Sequence, residues 1–244
     1  MSAVSYPPPL APAPTLDFEP VAHAYTLAGT RVRSVTNILG KVQLTPYQHA
    51  EFERLPALEA ARHRGTVVHQ AIHFFNEHDL DVAGFDDAFP EFAGYLHSWM
   101  RLMATGRLHT FACEYRVASF SPRFAGTFDW LGLFDGQAAL LDFATGDPET
   151  ACKSLQTAAY VLAAKGWSQL PGQERLKAFL DQHQYVRRFA VQLDADGGLP
   201  KLTPYPDARD FTNFLIIAQA VNVVDALRPK LAQHPWTPDT LEQA

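Results

Sequence analysis

The chain has 244 residues, 47% of them hydrophobic and 19% charged, with a formal net charge of −6. Such a composition buries a core as one domain with at most a modest addition. The acidic balance excludes a protein that coats nucleic acid through bulk electrostatics, but not one that grips it in a local groove. No apolar run reaches the roughly 18 residues of a membrane span, so the expectation is no membrane association.

Residues 1–14, MSAVSYPPPLAPAP, lack the basic and apolar regions of a secretory signal. Residues 1–22 are expected to form a disordered Pro/Ala-rich leader, and 23–244 a single domain. HAYTL (23–27) and TRVRSV (30–35) alternate as strands around Ala28-Gly29, a hairpin signal. Thr36 is placed to cap a short helix, TNILGKV. From about Tyr47 to Asn76 the pattern is helical, with Gly65 as a break; a loop ending at Gly84-Phe85-Asp86 precedes a second helix to Met103.

The period then changes. Residues 108–119, 124–134 and 138–143 read as three strands, the last two joined by a tight turn at Asp135-Gly136. A helix over about 154–165 and a polar stretch at 170–172 follow. Next come strands over 184–193 and about 199–205, and a long helix capped by Asp207. The order predicts an α/β (α+β) domain in which helices flank a central mixed sheet, without repeat or second core. Cys113 and Cys152 are isolated and read as packing residues in a reducing cytoplasm.

The chemistry concentrates in GTFDWLGLFDGQAALLDFATG (126–146). Asp129 lies mid-strand where an apolar residue is expected, and Asp142 ends the partner strand. The Asp135-Gly136 hairpin would set the two carboxylates side by side at one edge of the sheet. Either they share a divalent cation, for which oxygen ligands favour Mg²⁺ or Mn²⁺, or one caps a turn and the other is solvated.

The segment resembles the RecB-type branch of the PD-(D/E)XK nuclease superfamily, which has a restriction-endonuclease-like fold. The matching pieces are Gly126-Thr127-Phe128-Asp129, then Leu141-Asp142-Phe143-Ala144-Thr145-Gly146, then Gln156 through Tyr160, and upstream Arg64-Gly65 through His69. The ordered set is more specific than any one motif, and it puts the catalytic core at about residues 60–205. The resemblance implies that His69, Asp129, Asp142 and the Phe143 carbonyl bind the metal, and that Gln156 and Tyr160 orient the site. Glu114 is either a further ligand or support for the metal, or an exposed strand residue. His69 has a plain alternative as a packed histidine. His69 and His73, four apart, also have zinc-pair spacing, yet Gln70 stands where an H-E-x-x-H protease has its base.

At the family's lysine position this chain has Ala144. Three explanations stand: an engineered Lys→Ala substitution in a crystallised chain, relocation of the lysine to Lys153, or a natural pseudonuclease. The expected activity is metal-dependent hydrolysis of DNA, by an exonuclease or single-strand-specific enzyme. It belongs to recombination, repair or phage replication, in the cytoplasm of a bacterial or phage-infected cell. DNA, single-stranded or as duplex ends, is the implied partner, with a recombination or replication protein as a further one. The alternative is a nucleic-acid- or protein-binding module on the same fold. Arg64, Trp130 and Tyr160 are candidate DNA contacts, with Arg31, Arg33, Arg62, Arg187 and Arg188 as further phosphate contacts. A coincidental Asp pair on an unrelated fold would leave His69, Asp129 and Asp142 apart.

Overall fold

The computed structural model describes residues 15–20, 22–42, 44, 56–148 and 150–232. Three short strands come first, β1 (Leu16–Glu19), β2 (Ala24–Leu27) and β3 (Thr30–Val32). Four helices follow: α1 (Val35–Lys41), α2 (Pro56–Asn76), α3 (Val82–Ala88) and α4 (Pro90–Met103). Then come β4 (Leu108–Phe120), β5 (Arg123–Phe134), β6 (Gln137–Ala144), α5 (Thr150–Trp167) and α6 (Glu174–Gln182). β7 (Arg187–Gln192), β8 (Lys201–Pro204) and α7 (Arg209–Ala232) complete the order.

The main sheet runs β4-β5-β6-β7-β8, antiparallel except for the parallel pair β6-β7. A parallel pair needs a long crossover, and α5 with α6 supplies it. The fold is therefore the mixed α+β class that the element order predicts. Asp135 and Gly136 both have positive φ, 51° and 72°, the backbone of a two-residue turn whose twist matches the strands. That turn sets the register from Phe134↔Gln137 to Trp130↔Leu141. One step further, Asp129 stands opposite Asp142 where β5 and β6 part. The pair is thus on the second and third strands of the sheet, not at its edge as expected. α5 and α2 cover those central strands from either side.

β6 shows how both faces are used. Ala138 and Leu140 join the cluster beneath α1, α5, α6 and α7, whereas Ala139, Leu141 and Phe143 join the one beneath α2 and α4. The sheet divides the core into two layers of packing. Fully buried residues such as Phe124, Phe128, Trp99 and Trp130 anchor them; a side chain of that kind contributes about 1.5–3 kcal/mol.

Local readings shift in several places. The helix after the hairpin is capped by Ser34, which accepts from the Asn37 N–H at 3.1 Å, so Thr36 lies inside it. Gly65 does not break α2, which runs on to Asn76. The supposed loop at Gly84–Asp86 is α3, capped by Asp81. α6 was not anticipated, although Leu176 and Leu180 bury one of its faces. Leu16–Glu19, assigned to the leader, pair with β2, because Phe18 packs on Tyr25 and under Arg116. The rest of the expected leader, residues 1–14 and 21, and the start of the long helical pattern, 45–55, lie outside the described residues.

Over Arg209–Arg228, α7 reaches the length and composition of a membrane span, at a mean hydropathy of 1.2. It packs Phe214, Ala218 and Val221 into the core beneath the sheet, while Ile216, Val223, Val224 and Leu227 stay exposed.

Candidate metal centre and active site

Three elements bring the first group together. His69 projects from α2, Glu114 from β4 and Asp129 from β5, and their ligand atoms lie within 4.8 Å of one another. His69 Nδ1 is 3.4 Å from Asp129 Oδ1 and 3.5 Å from Glu114 Oε1. The pairs Cys113↔Trp130 and Tyr115↔Phe128 set Glu114 opposite Asp129 across the strands. Like charges directly opposite are destabilising unless something of opposite charge separates them. Glu114 also has φ +46°, a conformation that costs a non-glycine residue energy and gathers at functional sites. Its Oε1 is buried without a hydrogen-bond partner among the described residues. A cation would meet that unsatisfied oxygen, one imidazole nitrogen and the Asp129 carboxylate, a mixed nitrogen and oxygen donor set for a divalent ion. The residues fit the ion that the resemblance implies, and the exposed-strand alternative for Glu114 does not hold.

Asp142 is outside that group of three. It is almost wholly buried, and its Oδ2 is bonded by the Lys153 ammonium from the first turns of α5. The same ammonium is 3.4 Å from the Phe143 carbonyl. Two oxygens assigned to the metal are therefore held by a lysine. Asp129 links the halves, since its Oδ2 accepts from the Phe143 N–H at 2.6 Å.

The electrostatics follow from burial and charge pairing. Burial pushes the Asp142 carboxyl up to about 6, against the pull of Lys153 and with Asp129 adding to the rise. Burial would depress His69, but Asp129 and Glu114 overcome it and hold the imidazole at about 10. Asp129, despite its burial, is lowered chiefly by His69. The imidazolium and the ammonium neutralise the carboxylates, and a cation held by these residues would displace the proton of His69.

Gln156 and Tyr160 share one face of α5, and Gln156 Nε2 donates to the Tyr160 hydroxyl at 3.0 Å. Burial, then Asp142 and Asp129, hold that phenol well above its usual range, so it stays neutral. The motif glycine has a steric reason: a Cβ at Gly126 would lie 2.6 Å from Tyr160 Cε1 and 3.3 Å from Val35 Cγ2. Gly126→Ala is accordingly expected to lose about 1–3 kcal/mol, because the ring must move within a packed layer. A urea midpoint unchanged from the parent would contradict that reading.

Several sequence candidates are corrected. Trp130 is fully buried, edge-on to Trp99, with its indole N–H donating to Thr110 at 2.9 Å, so it offers no face to a base. Tyr160 is buried too and cannot stack. Arg188 is buried in an ion pair with Asp210 at 2.9 Å, and Arg187 lies over Phe134 and Phe189 and donates to the Phe134 carbonyl. Neither is a free phosphate contact. His73 is outside the metal group, so the zinc-pair spacing is not realised. Cys113 and Cys152 are buried in different layers.

Arg64 donates to the Thr145 hydroxyl at 3.2 Å and lines a cleft of about 1150 Å³ together with Ala144, Lys153 and Gln156. Ala144 thus borders the cleft, whereas His69, Glu114, Asp129 and Asp142 are not among its lining residues; Lys153, bonded to Asp142, connects the two. Among known proteins, no family model and no curated sequence matches the chain.

Proposed function

We propose that the chain is a metal-dependent deoxyribonuclease, in which His69, Glu114 and Asp129 hold Mg²⁺ or Mn²⁺ and Lys153 replaces the lysine missing at Ala144. The observation that carries the reading is the convergence of a histidine and two carboxylates from α2, β4 and β5 beside a buried Lys153–Asp142 pair. A bound cation supplies a water of lowered pKa and a polarised phosphate. The protein's own residues do the rest. The Phe143 N–H fixes the Asp129 carboxylate. Asp142 keeps the Lys153 ammonium against the wall of the cleft, where it can offset charge developing on a phosphate. Tyr160 orients Gln156, whose amide also lines the cleft.

The Lys153–Asp142 contact favours relocation of the lysine over an engineered substitution. A binding module without cleavage is the second reading, and Ala144 itself is the observation in its favour. The test is release of nucleotides from single-stranded and duplex DNA with Mn²⁺, with Mg²⁺ and with EDTA. Cleavage is expected with either metal and none with EDTA. DNA binding without cleavage, in both this chain and its Ala144→Lys variant, would favour the binding module and sink the nuclease.

A further inference from the structure

We infer that the small N-terminal sheet forms one wall of a channel that grips a single strand of DNA by its phosphates and leads it to Lys153. The inference rests on the nuclease reading for what happens at the channel's inner end. β3 and α1 face α2 and α5 across the cleft of about 1150 Å³. Its lining has six cationic side chains, Arg31, Arg33, Arg62, Arg64, Lys153 and Arg228, against the two carboxylates of Asp147 and Asp225. In a chain of net charge −6, that is a local concentration of positive charge with a shape.

The cations are not equivalent. Arg33 is committed to Asp225, its Nη2 2.8 Å from Oδ1, and Arg64 is held by Thr145. Arg31 and Arg62 are exposed, and neither guanidinium makes a hydrogen bond or ion pair among the described residues. They stand on different elements, β3 and α2, and both line the cleft. Charge that is unspent, brought by two elements to one cleft and open to solvent fits a polyanion that enters it.

Size and chemistry narrow the polyanion. The volume is slightly above the roughly 300–1,000 Å³ of small-molecule pockets, room for a short run of one strand and too little for a double helix. Among the described residues no Phe, Tyr or Trp lines the cleft, so those residues grip the backbone rather than stack on bases. Such a grip tolerates any sequence and weakens steeply with salt. At the inner end, Ala144, Lys153 and Gln156 line the same cleft, and Lys153 contacts Asp142. Arg64 and His69 lie five residues apart on α2, roughly 7.5 Å along the helix, so one helix serves both channel and metal centre.

The experiment is fluorescence anisotropy of a labelled oligo(dT) in EDTA, titrated with salt, for the parent and the Arg31→Ala/Arg62→Ala variant. The double variant is expected to bind on the order of tenfold more weakly, with a log–log salt slope smaller by about 0.7 per arginine removed. Its Mn²⁺-induced thermal shift should match the parent's, and a duplex should bind the parent more weakly than oligo(dT). An unchanged slope, or a duplex held as tightly as the single strand, overturns the channel. The two levels separate cleanly. Arginine-dependent strand binding by a chain that never cleaves supports the channel and removes the nuclease. Cleavage indifferent to both arginines removes the channel and keeps the nuclease.

Discussion

Asp129→Asn is expected to abolish DNA cleavage and to remove the rise in thermal stability that Mn²⁺ gives the parent, with the fold intact. Asp129 is the residue on which both halves of the site depend. One oxygen faces His69 at 3.4 Å and the other accepts from the Phe143 N–H at 2.6 Å. Asparagine keeps an oxygen for the Phe143 N–H, so the β5–β6 junction should hold. What disappears is the formal charge beside His69 and Glu114, and with it most of the attraction for a divalent cation. Losing the ion removes more than one donor, so the rate should fall by at least roughly 10³, beyond the usual 10²–10³ for a single charged or donor group. Metal at 100 times its dissociation constant stabilises the parent by about 2.7 kcal/mol, and scanning fluorimetry should show that increment absent from the variant. A full Mn²⁺ shift in Asp129→Asn would place the ion elsewhere and sink the assignment of His69, Glu114 and Asp129 as its ligands.

Turn chemistry made that geometry readable from sequence. Asp-Gly at 135–136 permits one register, and counting back from it brings Asp129 opposite Asp142. Hydrophobic periodicity likewise placed His69 and Gln156 on helices. It failed where burial is two-sided: β5 is covered on both faces, so Trp130 carried no mark of which way it points. Short helices escaped for a related reason, since α3 and α6 span two to three turns and carry few periodic positions. The weight of Glu114 was hidden because its positive φ and its unsatisfied oxygen arise only when β4 is laid against β5. The cleft was hidden as well. Arg31 and Arg62 are 31 positions apart in sequence, and only the docking of the small sheet makes them face one space.

Lys153→Met is expected to slow cleavage by on the order of 10²–10³, the range for removing one charge-stabilising group. Methionine keeps the length and apolar stem and deletes the ammonium that bonds Asp142 and approaches the Phe143 carbonyl. Asp142 then loses the neighbour that holds its carboxyl down. Its affinity for a proton should rise above the present value of about 6, which limits the penalty of leaving a buried charge unpaired. The Mn²⁺ thermal shift should survive, because His69, Glu114 and Asp129 are untouched. A structural ion pair would move stability but not the chemical step, so the readout is kcat at saturating oligo(dT) alongside the melting temperature. The decisive comparison adds Ala144→Lys. If the lysine has relocated, Ala144→Lys restores much of the rate lost in Lys153→Met and adds little to the parent, since either position sets an ammonium beside Asp142. If Ala144 is instead a lesion in a parent that used lysine there, Ala144→Lys raises the rate whether or not Lys153 is present, and Lys153→Met alone costs almost nothing. The two accounts rank the parent and the double variant in opposite order.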